Sequence, residues 1–526
     1  MKKKSALLIF LSLISFKLFS QTPDWSTTVA SIFYNNCTVC HHSGAIAPFE
    51  LMTYNDAVDQ AFSIQADVNA RKMPPWPPDP NYNHLWHERV LSDDDINSIN
   101  EWVDGGMPEG DTTLAPMPPV YNGNSLMVNA DDTIVLPAFT VPQQTLDVYR
   151  TFVVHSDFTD TTYLNQIEFL PGNPAIVHHV FIFYDTSNVS WIADSLSPGP
   201  GLSGGGQGGF SPYSVYFCGW TPGSSMLELP PNMGFMIPPG SDFAVEIHYS
   251  PGSTGQTDST RIKLKFTDPS IQNIRPVYAE RLLYWHTPSL IDGPFAIPPT
   301  YIRTFHEKSD SFTVDKSLLQ LQPHSHLICV SWKVFLVTTP GDTTNLVYIP
   351  SWNFNWQMGY FLTKLVKLPV NSQLWGEAVF DNTTNNPNNP SNPPVLVTAG
   401  ETTLDEMMAC RFSMLDYQAG DENYILDSAF YGLQTGTPVS FFDLPLQVFP
   451  NPANDVLNFT TSLPAHNLNW EVMNGMGIVM KSSFETNVWK GAYAKQIDVS
   501  DLPSGIYFLK IQSRDQRAVR KISVVR

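Results

Sequence analysis

The spacing of apolar positions changes several times along the chain. Between residues 92 and 106, Ile96, Ile99, Trp102 and Val103 recur at helical spacing behind Ser92-Asp93-Asp94-Asp95, and Gly105-Gly106 closes the run. A capping hydroxyl, an acidic first turn and a terminal glycine pair predict one helix there. From about residue 128 to 425 the apolar positions alternate or gather into short runs, and 176–184, 243–249, 327–337 and 374–380 predict strands. Gly- and Pro-rich stretches at 198–209 and 385–394 predict exposed loops between them. Beyond 442–446, short strands with turn signals at Asn474-Gly475 and Pro503-Ser504-Gly505 predict a small β-sandwich.

Composition supports a mainly β, multi-domain protein. The 526 residues include 44 prolines and 31 glycines spread throughout, with 42% hydrophobic and 15% charged residues, a profile of short strands and many turns. Residues 1–20, with Lys2, Lys3 and Lys4 ahead of a short apolar stretch, predict a signal peptide cut near Ser20, with no Cys nearby to carry a lipid. A partly helical segment, 21–112, then leads through a Pro-bearing linker, 113–127, into the long β region. No later run reaches the roughly 18 apolar residues that a membrane span requires, so no transmembrane segment is expected in the mature chain. The net charge of −20 repels phosphate backbones and anionic lipid, which argues against nucleic-acid partners.

Cys37-Thr38-Val39-Cys40-His41 has the C-x-x-C-H spacing of a haem c attachment site. Two thiols bond the porphyrin there while the adjacent imidazole takes the iron. A redox or zinc-binding Cys pair is the competing reading, and the following histidine together with export favours haem. Met73, in Lys72-Met73-Pro74-Pro75-Trp76, is the first choice for second axial ligand, with His84, His87 and Met107 as rivals. His42 is expected to be a solvated side chain. With Ala47-Pro48-Phe49 and Trp102-Val103-Asp104-Gly105-Gly106, these motifs resemble a small α-helical cytochrome c-like domain found fused to secreted bacterial enzymes.

Five of the 13 histidines fall in three motifs of the β region: His178-His179, His248 and His324-Ser325-His326. Two apart on a strand, His324 and His326 share a face and can chelate one ion. Phe243, Val245, Ile247 and Tyr249 form an apolar face, so His248 points the other way with Glu246. Vicinal His178 and His179 face opposite sides of a regular strand, and share a metal only where a bulge or strand end re-aims one ring; otherwise the pair is structural. Met407 or Met408, in Asp405-Glu406-Met407-Met408, completes the set. Thioether beside imidazole favours copper over zinc, calcium or magnesium.

In this order, over residues 128–425, the motifs resemble the copper type II, ascorbate-dependent monooxygenases, the family of the peptidylglycine and dopamine hydroxylating enzymes. The resemblance implies two tandem β-sandwich copper domains, 128–270 and 271–425, holding two well-separated copper ions across a cleft. It implies that His178, His179 and His248 hold an electron-donating copper, and that the catalytic set His324, His326 and Met407 holds the copper that binds O2, with Met408 as the fallback. The implied reaction is hydroxylation of a C–H bond in a small-molecule substrate with O2, with electrons from ascorbate or another donor. The fused haem is expected to feed electrons to the copper domains, or else to serve as an electron exit or a docking point for a redox partner protein. The segment Trp352-Asn353-Phe354-Asn355-Trp356-Gln357 looks like the bacterial members; from its residues alone it is an aromatic strand packing a core. Where peptide-amidating relatives carry an Arg and a Tyr that grip the substrate carboxylate, this chain has Gln322 and Arg411, so peptide amidation is not expected, although Arg411 can bind an anionic group. The rival class is a non-enzymatic haem and copper electron carrier or surface binding protein.

Cys329 lies three residues after His326 and Cys410 three after Met407. Convergence of both segments on one copper would bring these thiols close enough for a disulfide, with Cys218 left over; buried free thiols are the alternative. A second linker, 426–444, precedes the tail, 445–526. Its Val448-Phe449-Pro450-Asn451-Pro452-Ala453, Asp498-Val499-Ser500-Asp501-Leu502-Pro503-Ser504-Gly505-Ile506-Tyr507 and Lys521-Ile522-Ser523-Val524-Val525-Arg526 resemble the C-terminal sorting domain of the Bacteroidetes type IX secretion route. That resemblance implies handling by the type IX secretion machinery and a secreted or cell-surface destination in a Gram-negative bacterium. A carbohydrate-binding sandwich is the alternative, but no aromatic platform is evident.

Overall fold

The computed structural model describes residues 22–426 and 446–525, apart from 46, 120, 122–124, 128, 144–146, 204–210, 225, 231, 287, 340, 464–465, 475–478, 489–490 and 514–515. The signal-peptide reading, most of the 426–444 linker, part of the 198–209 loop and Gly475 of the predicted turn lie outside the described residues. The chain divides into two compact units, Met1–Asp427 and Ser428–Arg526, and it is mainly β with several sheets.

The predicted helix spans Asp93–Asp104. Ser92 Oγ accepts the Asp95 N–H at 3.0 Å and the Asp95 carboxylate answers the Ser92 N–H at 3.4 Å, a capping box that satisfies otherwise orphaned donors. Ile96, Ile99, Trp102 and Val103 then pack on Trp25, Phe33, Ile64 and Val68. Phe33 lies on helix Ala30–Asn36, and Ile64 and Val68 on helix Ala61–Asn69.

Beyond this helical core the first unit is built on one continuous nine-stranded sheet. Its first half contains Asp132–Val135, Arg261–Phe266, Thr162–Leu170 and Met233–Ile237; its second half contains Arg275–Tyr284, Ala409–Asp416, Lys316–His324 and Tyr360–Leu368. The halves are joined where Met233–Ile237 pairs in parallel with Arg275–Tyr284. A five-stranded sheet containing Val148–Val154, Asp242–Tyr249, Val177–Asp185 and Val215–Trp220 shares one apolar core with the first half, through Val180, Ile182, Phe243 and Val245 against Leu164, Ile167, Phe235 and Ile262. A four-stranded sheet, Ile302–Lys308, Gln373–Asp381, Cys329–Val337 and Thr343–Ile349, shares a second core with the other half, centred on Trp332, Phe380, Leu321 and Phe412.

The helical segment is not a bead on a linker. Its loop after Met73 lies along the β region: the Asp79 N–H donates to the Tyr348 carbonyl and the Trp86 N–H to the Phe361 carbonyl, both at 2.8 Å. Leu85 forms a β-bridge with Leu362 and is itself part of the second core. A boundary at residue 112 therefore does not separate two bodies; residues 22–112 belong to the same compact unit as the sheets.

All five cysteines are free thiols, so the disulfide expected between Cys329 and Cys410 is not formed. Both are buried, but they start from different sheets, and each Sγ donates to a carbonyl of its own strand, Ser331 at 3.5 Å and Arg411 at 3.6 Å. In the second unit, a three-stranded and a four-stranded sheet enclose a core of Leu457, Phe459, Val472, Leu509 and Ile522, the small sandwich predicted for the tail.

Glu307 supplies a test of the second core. It is buried on strand Ile302–Lys308 with neither carboxylate oxygen hydrogen-bonded, and burial pushes its carboxyl well above the usual 4.5. The folded state keeps a proton that the unfolded chain releases, so stability present below about pH 4.5 is lost as the pH rises. Glu307→Gln should raise stability at pH 8 more than at pH 5, as read from urea midpoints at both pH values.

Candidate functional site

A register slip creates the first histidine cluster. Across Asp242–Tyr249 and Val177–Asp185, His248 pairs with His179 but Tyr249 pairs with Val177, leaving His178 as the extra residue of a bulge. The bulge turns both vicinal rings to one side. On the other flank His248 pairs with Tyr149, whose ring stacks on it at 4.3 Å between centroids. The Nδ1 atoms of His178 and His248 each stand 3.3 Å from Nδ1 of His179, and the three residues can present ligand atoms that all lie within 4.8 Å of one another. Metal–imidazole bonds of about 2.0–2.1 Å, the zinc value, at a tetrahedral angle place two nitrogens about 3.3 Å apart. This spacing suits one shared ion.

The second set lies at the end of strand Lys316–His324. His324 Nδ1 is 2.5 Å from Gln357 Oε1, and His326 Nδ1 is 3.0 Å from the Asp405 carbonyl. Each ring thus donates from Nδ1 and leaves Nε2 as an acceptor or ligand. The Glu406 carboxylate holds the His326 backbone N–H, and also those of Met407 at 2.8 Å and Ile328 at 3.2 Å. Burial still pushes the Glu406 carboxyl up to about 8 against these donors. Ser325, between the histidines, is fixed by the Trp332 indole N–H at 2.7 Å.

The two sets meet. His178, His179, His248, His324, His326 and Met407 line a single pocket that encloses about 360 Å3 of space, partly open to solvent. Phe354 fills the space between them, stacked on His178 at 4.4 Å and edge-on to His326 at 5.8 Å. Asp147 ties the halves together: its carboxylate accepts from His248 Nε2 at 2.7 Å and from the Thr403 hydroxyl at 2.6 Å. Burial opposes ionisation of Asp147, but those hydrogen bonds outweigh it and hold the carboxyl below its usual range. Burial, reinforced by the neighbouring imidazoles, lowers His178 to about 3 and His326 to about 4 and holds His179 and His324 well below normal. Neutral rings with free lone pairs are the form that binds metal. Met407 and Met408 both belong to the second core, but only Met407 also lines the cavity.

The segment read as an aromatic strand is a turn, closed by the Trp356 N–H on the Asn353 carbonyl at 2.9 Å and by the Asn355 N–H on Asn353 Oδ1 at 3.0 Å. Its short polar residues make turn bonds that compete with strand pairing. The turn sends Phe354 to the histidines, Gln357 to His324 and Trp356 elsewhere.

Trp356 borders a second, larger cavity of about 1700 Å3, lined by Cys37, Cys40, His41 and Met73, with Phe49, Ile64 and Val68 among its apolar residues. His41 Nδ1 is 3.0 Å from the Phe49 carbonyl, which frees Nε2 for an axial bond, and burial lowers its pKa. The chemistry of this donor set fits a haem. The rival ligands are engaged otherwise: His84 Nδ1 lies 3.1 Å from Glu88, His87 stacks on Trp86 at 4.4 Å, and Met107 packs against the helical core. His42 is buried rather than solvated, covered edge-on by Tyr121 at 3.9 Å. Arg411 stands beside the copper-type set, its guanidinium 4.0 Å from the centre of the Tyr216 ring, in a small cavity shared with His179 and His324.

Asp147, Gln357, Glu406 and Phe354 were not predicted as site residues. Glu406 carried a signal inside Asp-Glu-Met, and Phe354 and Gln357 lie in the segment singled out at 352–357; Asp147 is a single residue with no motif around it.

The profile of the secretion system C-terminal sorting domain matches residues 447–525. The second unit is therefore a type IX secretion sorting domain, and the protein is exported for secretion or cell-surface attachment. Among the described residues no helix is long and apolar enough to cross a membrane. No curated protein matches the chain. Solved structures that align include a β-D-glucuronidase of Dictyoglomus thermophilum, 10% identical over 47% of this chain and 43% of that one, with a TM-score of 0.14. A β-glucuronidase of Ruminococcus gnavus in complex with D-glucaro 1,5-lactone is 8% identical over 48% and 46%, with a TM-score of 0.15. The chain spans less than half the length of these structures, and likeness at that level carries no argument.

Two outcomes follow from this geometry. Asp147→Ala should weaken Cu(II) binding to the metal-free protein about 10–100-fold, as for other partners that orient a ligand histidine, read by competition titration. Truncation near residue 444 should leave the first unit folded, by circular dichroism, while stopping delivery beyond the outer membrane in the native host.

Proposed function

We propose that the first unit is a copper-dependent monooxygenase that hydroxylates a C–H bond of a small-molecule substrate with O2. The observation that carries this reading is the convergence of three imidazole Nδ1 atoms at metal-sharing distances, beside a second His-x-His and Met set in the same cavity. The resemblance of the motifs to the ascorbate-dependent copper monooxygenases supplies the reaction class. Copper held there would supply O2 activation and one-electron chemistry, and haem c held by Cys37, Cys40, His41 and Met73 would supply a one-electron carrier.

The chain's own residues do the positioning. Asp147 fixes the His248 ring, Gln357 the His324 ring and the Asp405 carbonyl the His326 ring, so that the remaining nitrogens face the cavity already oriented. Phe354 and Phe181 make part of its wall apolar, which limits water around the reacting centre. Ascorbate, another small reductant or a redox partner protein is the external electron source. Arg411 and Gln322 stand where the amidating relatives grip a carboxylate, so a substrate other than a glycine-extended peptide is expected.

Copper- and haem-loaded protein with a reductant and a substrate panel should show O2 uptake coupled to a product that gains one oxygen. Failure with every candidate would favour the electron-carrier reading. Met407→Ile should weaken Cu(I) more than Cu(II), because a soft thioether prefers the reduced ion. If Met408→Ile has that effect instead, the ligand is the next residue along the chain.

A further inference from the structure

One side chain belongs to both cavities. His178 lines the histidine cavity and also the larger cavity that contains Cys37, Cys40, His41 and Met73. Its Nδ1 is 3.3 Å from Nδ1 of His179, so one edge of the ring is committed to the cluster. Its Nε2 is shielded from solvent and has no hydrogen-bond partner among the described residues. Its neighbours differ: one ring nitrogen of His248, of His324 and of His326 is held by Asp147, Gln357 and the Asp405 carbonyl respectively. A buried N–H left unpaired is unfavourable, and a carboxylate carried by an occupant of the larger cavity is an acceptor that would satisfy it.

The surrounding residues make the same junction. Pro174, Ala175 and Val177, which lead into the bulge, line the larger cavity beside His178. The turn at 353–357 serves both spaces, with Phe354 in the histidine cavity and Trp356 in the larger one. Trp356 is seated against Gly223, where a φ of +81° and a would-be Cβ only 2.4 Å from the indole leave room for glycine alone. Arg89 also lines the larger cavity and donates to the Gly223 carbonyl at 2.9 Å, which fixes a cation there and locks the wall.

We propose that His178 is the electron conduit between the haem site and the histidine cluster, its single imidazole being the partition across which they exchange one electron. This rests on the copper and haem reading above and adds the route and its direction. The step is balanced: ferrous haem gives up one electron and becomes ferric, Cu(II) at the cluster takes it and becomes Cu(I), and no proton moves and no bond is made or broken. The haem is refilled by a one-electron donor such as ascorbate or a reduced redox protein. Because both sites lie in one compact unit, the transfer is intramolecular and needs no diffusional encounter.

The test uses the full-length protein with haem and copper in their oxidised forms. A soluble photosensitiser delivers one electron to the haem in a flash, and the haem absorbance is followed. The ferrous signal should decay in a first-order process whose rate constant is unchanged by tenfold dilution, and should persist when Zn(II) replaces Cu(II). Decay whose rate scales with protein concentration, or no decay with Cu(II) present, would overturn the proposal. Pulsed EPR gives a second readout: ferric haem should speed Cu(II) spin relaxation relative to copper-loaded protein without haem, and equal relaxation would exclude the two groups lying on either side of one imidazole. Metal analysis and the haem content of the loaded protein separate the two levels. Protein that retains neither group overturns the monooxygenase reading and this route together, whereas protein that holds both without transfer overturns the route alone.

Discussion

The one-residue slip between the strands carrying His248 and His178-His179 is the constraint on which the site depends. In a regular antiparallel pair, adjacent side chains diverge to opposite faces. Val177 then enters the apolar core and His178 takes the extra position, so that two neighbouring rings and a third from across the ladder meet. The bulge also places His178 against the larger cavity lined by Cys37, Cys40 and His41, so one local irregularity shapes two spaces. Regular pairing elsewhere along Asp242–Tyr249, from Phe243 with Tyr184 to His248 with His179, holds that irregularity in place.

The continuous sheet gives the two histidine sets a common frame. Had the sandwiches been independent bodies, their relative position would be set by whatever lined the gap between them. Here Met233–Ile237 and Arg275–Tyr284 share backbone hydrogen bonds, and Asp147 reaches from one sandwich to Thr403 and His248 at once. Domain-scale opening would have to break that sheet pairing.

Much of the architecture was legible because it rests on short-range rules. The helix Asp93–Asp104 announces itself through Ser92, its acids and its apolar spacing. The pairing of His324 with His326 follows from the two-residue period of a strand, and the face of His248 from its four apolar neighbours. What escaped depends on register and on distant segments. Nothing near His178 in sequence fixes the slip that re-aims it, because that is set by pairing with Tyr249. Asp147 and Gln357 are isolated polar residues whose roles exist only once a histidine from another strand arrives. Trp352–Gln357 has strand composition, yet Asn353 and Asn355 bend it into a turn.

The loop at 79–86 has a consequence for the solubility of the β region. Strand Tyr360–Leu368 ends the long sheet and Thr343–Ile349 ends the four-stranded sheet, and rows of unpaired backbone groups at such borders are templates for pairing with other chains. Leu85 and Trp86 occupy the first border through Leu362 and Phe361, while Asp79 and Asn83 occupy the second through Tyr348 and Leu346. The helical segment is thus a sheath for two raw edges as well as the carrier of the Cys-x-x-Cys-His motif. Cutting it away would leave β-sandwiches that tend to assemble edge to edge.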